Sequence, residues 1–570
     1  MTDRAPWSIA SPDPAAVDRL ARDLSVGRPA AACLVNRGYL DLGRTRAFLT
    51  PQLADLDRPD GMADLDRAAA RVAEAVAAKE RVGVFGDYDV DGITSAALVT
   101  AFLTDLGTTV HGEIASRFGV GYGLSRAAVE RFADLGCRTL VVLDCGTTDH
   151  AALARAAELG LDAVVVDHHR VEGAHPPAVA FVNPERADCR FPDKNLAAVG
   201  LAFYFVAAVR RALERQGRLR EGEIDLRELL DLVALGTVAD VVSLTRNNRI
   251  LVHHGLKVLS ETRRPGLRAL MRHCRLRARR LRAEHVTFQL APRLNAAGRL
   301  GDARDAYSLL IARRARDAHT LAERLDALTR RRREVEEHVD AEARRRIEDE
   351  ALAGESVIVV GGDGWHRGVI GIVAARIAER YGRPAFVVGF DGDEGIGSAR
   401  GQGQLDLHGG LAAAREHLLR FGGHHDAAGF TLRRDALAGL REALVGHARD
   451  HARPRENGKT VCDARITSRE LTGALLEEIG RIGPFGHDNP EPVFDVDALP
   501  VLSRRVVGGD HLKLELKTPS GSVGAFGPRM GASVAGVPPL VRVAAAVGAD
   551  EWRGDRTLEL RLVEPPAPAV

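Results

Sequence analysis

No two of the six cysteines form a CxxC pair; Cys33, Cys137, Cys145, Cys189, Cys274 and Cys462 lie far apart. That spacing argues against a thiolate zinc site or a secreted disulfide framework, and it suits the reducing cytoplasm. No apolar run reaches the ~18 residues that a membrane span needs. The opening MTDRAPWSIA lacks the basic-then-apolar pattern of a signal peptide. Net charge is missing too: 79 Lys and Arg meet 78 Asp and Glu, leaving +1. A balance near zero leaves a nucleic-acid partner open, because such a partner needs only a basic stripe on one face. One stretch is strongly basic: Arg263 to Arg282 holds nine arginines and no acid. Alone, it reads equally well as a solvated helix face. The length, 570 residues, predicts about three to five domains and ample core without staples.

The first ~80 residues read as helices. A pattern then repeats in which a short apolar run ends in an acid and a helix follows. Val82–Phe85 leads to Asp87, Thr139–Leu143 to Asp144, and Ala163–Val166 to Asp167. Such short, β-branched, wholly apolar runs are strands buried on both faces. Alternating with the helices Thr94–Leu106 and His150–Leu159, they predict a doubly wound parallel sheet. Ligands of such sheets sit beyond the carboxyl ends of the strands, where all three acids fall. The stretch His319–Glu350 has no Gly or Pro and sparse apolar positions. It predicts a connecting helix of ~48 Å. A second α/β unit follows, with strands at Ser356–Val360 and Ala385–Val388 and a helix at Gly368–Tyr381. From Lys459 to Glu564, short alternating runs predict a small β-barrel.

The acids carry the chemistry. GDYDVDG sets Asp87, Asp89 and Asp91 at a strand-to-helix corner; Asp144, Asp167-His168-His169 and Asp240 end other elements. Carboxylates crowded into one crevice take up protons or bind cations. Asp89, Asp91, Asp144 and Asp240 sum to −4, which two divalent ions would balance. Oxygen ligands with one imidazole favour Mn²⁺ or Mg²⁺ over zinc. Two such ions can supply the nucleophile and steady both attacking and leaving oxygens at phosphorus. DYDVDG alone could be an Asx-rich turn or a calcium loop, but an EF-hand's bidentate Glu is replaced by Leu98.

These motifs resemble the DHH phosphoesterase superfamily, named for the triplet seen here as Asp167-His168-His169. Within it, the chain is most similar to the RecJ family of single-strand-specific 5′→3′ DNA exonucleases. The resemblance spans Leu34 to Val563 through GDYDVDGITS, FGVGYGL, LDCG, DHH, VNPERADC, ALGTVADVV and PRLNAAGRLGD in order. GWHRGVIG, GSARG and FGGHHDAAGF look like a DHHA1 domain, and PFGHDNPEPVF opens what looks like an OB-fold. The resemblance implies an N-terminal helical extension (1–75), a DHH catalytic domain (76–315), a connecting helix (316–352), a DHHA1 domain (353–455) and an OB-like nucleic-acid-binding domain (459–564).

It also implies roles. Asp89 and Asp144 would hold one ion with help from Asp87; Asp91, Asp144, His168 and Asp240 would hold the other. Asp167 would orient the imidazoles, and His169 would face the scissile phosphate. Arg117, Arg293, Asn295, Arg299, Ser398, Arg400, Gly423 and His424 sit in motifs that would contact substrate, with Arg forks suited to a terminal phosphate. The expected partner is single-stranded DNA, fed by a helicase or a single-strand-binding protein, in repair and recombination. No membrane is involved. Three departures from the family pattern stand out: Asp488 and Ala198 replace glycines, and no proline precedes Arg117. The rivals are a DHH/DHHA1 hydrolase of short oligoribonucleotides or cyclic dinucleotides, a manganese pyrophosphatase, and a silent single-strand-binding scaffold. The first is normally shorter, the second has no use for a barrel, and the third would have lost acids.

Overall fold

The computed structural model describes residues 6–116, 123–276, 281–453, 459–549 and 557–569. The chain divides into two compact units: residues 1–292, 307–319 and 458–570 form one, and 293–306 with 320–457 form the other.

The first unit contains a five-stranded sheet, all parallel. Its strands are β1 (Arg81–Gly86), β2 (Val110–Ile114), β3 (Cys137–Leu143), β4 (Asp162–Val166) and β5 (Ala180–Val182), in the order β2-β1-β3-β4-β5. Strands β1, β3 and β4 are buried almost throughout, as their uninterrupted apolar sequence requires. The helix after β1 runs from Val90 to Asp105 and so starts four residues before the sequence pattern suggested. The reason is local: Asp89 caps it, its side chain accepting from the Gly92 N–H at 3.1 Å.

The C-terminal part of this unit is a closed barrel of β11 (Val493–Val507), β12 (His511–Thr518), β13 (Gly521–Gly527), β14 (Leu540–Ala549) and β15 (Leu558–Leu562). The order is β11-β12-β13-β15-β14, and β14 pairs back onto β11 to close it. Only β13 and β15 run parallel, the arrangement of an OB-like barrel. Its core is shared. Leu20, Leu34 and Phe48 of the N-terminal helices lie in one apolar cluster with Ile479, Ile482, Phe494 and Leu514. Buried Arg249 fastens the seam, donating to the carbonyls of Phe48 (3.0 Å), Arg481 (3.1 Å) and Ile482 (2.8 Å). Asp488 adopts φ 57, a left-handed conformation that Asp accepts better than most residues. The turn therefore survives the loss of its glycine.

The second unit holds a mixed sheet: β6 (Ile358–Asp363), β7 (Ala385–Asp391), β8 (Glu394–Arg400), β9 (Arg420–Gly423) and β10 (Ala427–Arg433), in the order β9-β10-β8-β7-β6. The long helix spans Ala315–Asp349. It is more than a connector: Val339, Ala343 and Ile347 are buried against Ile358, Val360, Trp365 and Ile377. Val335 packs against the same cluster, and the buried Glu336 beside it is paired with Arg332 (2.7 Å) and Arg376 (3.1 Å). No helix among the described residues is long and apolar enough to cross a membrane.

Candidate metal centre

Asp87, Asp144 and Asp167 follow directly on β1, β3 and β4, neighbours in the sheet. A staircase of backbone bonds sets their register: Asp87 N–H donates to Leu143 O (3.2 Å), Asp144 N–H to Val166 O (3.0 Å) and Asp167 N–H to Val182 O (3.0 Å). Asp144 sits at φ 60, a strained turn that swings its side chain out of strand geometry at the sheet's end. Asp89 and Asp91 come from the first turn after β1. That turn is tight enough that a Cβ on Gly92 would lie 2.5 Å from the Asp87 nitrogen, so glycine is required there. Asp240 caps the C-terminus of the helix Leu230–Ala239.

These side chains converge. Oxygens of Asp87, Asp89 and Asp144 lie within 4.8 Å of one another, and so do ligand atoms of Asp91, His168 and Asp240. The two sets meet at Asp144, whose Oδ1 is 3.3 Å from His168 Nε2; that nitrogen is also 3.7 Å from Asp240 Oδ2. His169 is only half-buried and approaches Asp144 Oδ1 to 4.0 Å through Nδ1.

Burial pushes the carboxyls of Asp87, Asp91 and Asp144 well above the ordinary range, and mutual repulsion adds to it: Asp89 acts on Asp87, Asp240 on Asp91, and Asp89 on Asp144. Burial raises Asp240 as well. Such a group of acids cannot all stay charged unaided: it takes up protons, or it binds cations that neutralise it. The hydrogen bonding agrees. Asp87 Oδ1, Asp144 Oδ1 and Asp240 Oδ2 are buried and accept no hydrogen bond among the described residues, which leaves them open to a metal. All-oxygen donors with imidazole suit Mn²⁺ or Mg²⁺.

Asp167 behaves differently. Burial would raise its carboxyl, but the hydrogen bond from His169 Nδ1 (2.8 Å) and those from Thr147 (2.6 Å from Oγ1) hold it below the ordinary range. In return, against a burial effect of opposite sign, Asp167 lifts the His169 imidazole to about 9. Its ring partner is thus His169; to His168 it binds only the backbone N–H, at 2.8 Å.

Supports that the acid pattern alone did not disclose hold the site in place. The helix Ala198–Arg215 aims its first amides at Asp91, Ala198 N–H at 2.7 Å and Val199 N–H at 3.0 Å. The alanine in place of glycine leaves this bond intact, since only the backbone is used. Asn183, from the VNP motif, donates to Thr147 Oγ1 (3.2 Å) and His169 O (2.9 Å). The first support acts through backbone amides and leaves no trace in a sequence; Asn183 is a side chain within VNPERADC.

The expected substrate contacts fall in the second unit, apart from Arg117, which lies outside the described residues. Ser398 and Arg400 share β8, with Arg400 Nη1 donating to Ser398 Oγ at 2.9 Å. Both reach the start of the helix Ile370–Tyr381: a Cβ on Gly371 would stand 3.0 Å from Arg400 Nη2 and from Ser398 Oγ. Arg299 is tied to the carbonyl of Gly368 just before that helix, at 3.2 Å. Gly423 ends β9 and His424 follows it, with β9 joined through β10 to β8. Arg293 is engaged elsewhere, with Asp326 at 3.1 Å, and Asn295 is half-buried on the same helix as Arg299. The helix start beside Ser398 and Arg400 was not foreseen, though GWHRGVIG carries it.

Within the first unit, a pocket of about 620 Å³ opens between a π-helical turn, Val286–Leu290, and the barrel. Phe288 stands 68% exposed at this pocket, which Phe526, Arg505 and Arg561 also line.

Three family models match the chain in succession: the DHH family N-terminal domain over residues 81–237, the DHHA1 domain over 354–448 and the RecJ OB domain over 462–564. That order defines a DHH-type protein with an added OB domain. The proteins named single-stranded-DNA-specific exonuclease RecJ from Dickeya dadantii and Escherichia coli are 37% and 36% identical to it, over 87% and 84% of this chain and 89% and 86% of theirs. The crystal structure of Thermus thermophilus RecJ in complex with Mn²⁺ matches with a TM-score of 0.81 at 31% identity, covering all of this chain and 81% of that one. Its Mg²⁺ complex gives 0.75 at 27%, over 99% of this chain and 79% of that one. The chain belongs to the RecJ family.

Proposed function

We infer that this chain is a metal-dependent exonuclease specific for single-stranded DNA, acting in DNA repair and recombination. One observation carries the reading: two sets of carboxylate and imidazole ligands meet at Asp144, and three buried carboxylate oxygens accept no hydrogen bond among the described residues. Divalent ions of the Mn²⁺ or Mg²⁺ kind, when bound there, acidify water and neutralise charge at phosphorus.

The side chains do the positioning. Asp89 and Asp144, with Asp87, would hold one ion, and Asp91, Asp144, His168 and Asp240 the other, Asp144 being the residue the two sets share. The amides of Ala198 and Val199 hold Asp91 in a single orientation. Asp167 holds the His169 ring through Nδ1 at 2.8 Å, and that ring serves the scissile phosphate. Degradation runs 5′→3′ to 5′-mononucleotides. The terminal phosphate is taken by Arg400 and Ser398 with Arg299, at a helix start whose amides add to the positive end. His424, beside the open glycines of β9 and β10, contacts the nucleotide. The pocket at Phe288 offers stacking and charge for a strand running along the barrel. A helicase and a single-strand-binding protein supply the substrate.

The test is a comparison of three substrates of one sequence in Mn²⁺: single-stranded DNA, blunt duplex DNA and RNA. Rapid release of nucleotides from single-stranded DNA alone is expected. Faster attack on RNA would move the protein to the oligoribonucleotide hydrolases.

A further inference from the structure

We propose that the exposed arginine face of the helix Pro265–His273 is a second nucleic-acid contact, one that takes the phosphate backbone of duplex DNA adjoining the single strand under degradation. The proposal rests on the exonuclease reading above. The helix buries Gly266, Leu267, Ala269 and Leu270 and turns Arg268 and Arg272 outward. Those two lie about 6 Å apart along the axis. Arg263 before the helix and Arg275 just after it are exposed as well. Among the described residues, none of these four side chains makes an ion pair.

The face is rigidly presented. Arg264 anchors the start of the helix on buried Asp231, Nε to Oδ1 at 3.1 Å. Gly266 is packed so closely that a Cβ would lie 1.8 Å from the carbonyl oxygen of Leu309. The arginines are therefore held near one another by the fold, and less ordering remains to be lost on binding. Among the described residues, no acid is paired with them. The next acids along the chain are Glu261 and Glu284, and Glu284 is bound by Arg561 at 2.7 Å. In a chain of net charge +1, such an unbalanced row is a local concentration of positive potential.

The chemistry selects the duplex. Single-strand sites combine cations with aromatic platforms for the bases. Residues 263–276 contain no Phe, Tyr or Trp, and His273 is already stacked on His319 with centroids 5.7 Å apart. A duplex needs no platform; it offers one fixed charge per ~1.7 Å of axis, and phosphate contacts of this kind position a protein without reading sequence.

The experiment uses the full chain in chelator, so that nothing is cleaved, and measures binding by anisotropy across a salt series. The ligands are a duplex with a 5′ single-stranded tail and the tail alone. In the variant Arg268→Gln/Arg272→Gln/Arg275→Gln, the slope of log affinity against log salt for the tailed duplex should fall by about 2–3, near 0.9 per lost phosphate contact. The wild type's advantage then shrinks about 40-fold between 50 and 200 mM salt. The corresponding triple Lys variant should keep the wild-type slope, and Mn²⁺-dependent cleavage of a short single strand should be unchanged in both. An equal loss of slope on the tail alone would overturn the duplex assignment; no change on either ligand would make the row a solvated face. Should the wild type bind the tailed duplex in this way yet cleave no single strand, the exonuclease reading fails while the duplex contact stands.

Discussion

Replacing Asp144 by Asn separates the two demands placed on the acid cluster. Its oxygens lie within 4.8 Å of those of Asp87 and Asp89. At an effective dielectric near 20, two charges at that separation repel by about 3.5 kcal/mol. Part of this is relieved in the metal-free protein by proton uptake, since burial and Asp89 already raise the Asp144 carboxyl. Removing the charge should therefore stabilise the metal-free protein by about 1–3 kcal/mol. Asn is the suitable replacement because it tolerates the φ of 60 at this position. The metal response should move the other way. At a hundredfold excess over Kd, Mn²⁺ stabilises a one-site protein by about 2.7 kcal/mol, and the variant should lose most of that gain. Cleavage should drop by at least a thousandfold, about 4 kcal/mol in the barrier. Chemical unfolding with and without Mn²⁺, beside a cleavage assay, reads all three. A variant that is stabilised by Mn²⁺ as strongly as the wild type would refute the placing of Asp144 between two ions.

Other consequences follow from particular contacts. Arg400→Gln should cut the preference for a 5′-phosphate over a 5′-hydroxyl about 10- to 100-fold, the worth of a charged hydrogen bond; competition between the two oligomers measures it. Arg249→Met leaves the carbonyls of Phe48, Arg481 and Ile482 without their buried donor and should cost about 3–5 kcal/mol of stability in the unit that contains the barrel, read by denaturant unfolding. Burial would raise the Asp495 carboxyl, but hydrogen bonds from Arg542, Arg465 and Trp7 hold it below the ordinary range. Its stabilising contribution is thus present above about pH 4 and is lost as pH falls through the depressed value. Between pH 4 and pH 2 the wild type should lose more stability than Asp495→Asn; parallel curves for the two would count against the ion-pair cluster.

The site was legible wherever charge and periodicity coincide. Apolar β-branched runs ending in Asp87, Asp144 and Asp167 disclose parallel strands, and parallel strands put their ends on one edge. What escaped was carried by the backbone or by distance in the chain. The amides of Ala198 and Val199 that hold Asp91 have no side-chain signature. Arg249 looks like any helical arginine until its three acceptor carbonyls arrive from residues 48, 481 and 482. Phe288 is a lone aromatic whose exposure depends on a π-helical turn. The long helix has the sparse apolar positions of a connector, yet Val339, Ala343 and Ile347 are buried in the core of the second unit. The N-terminal helices share their core with the barrel, so removing the barrel would strip Leu20, Leu34 and Phe48 of their cover and could not isolate its contribution to DNA binding.

The most direct test is a Mn²⁺ time course on single-stranded DNA carrying a label at the 5′ end or at the 3′ end, with Asp144→Asn alongside. Immediate release of labelled mononucleotide from the 5′ end, delayed release from the 3′ end and none from the variant is the predicted result. Release from the 3′ end first would contradict the terminal-phosphate site, and an active variant would contradict the metal centre itself.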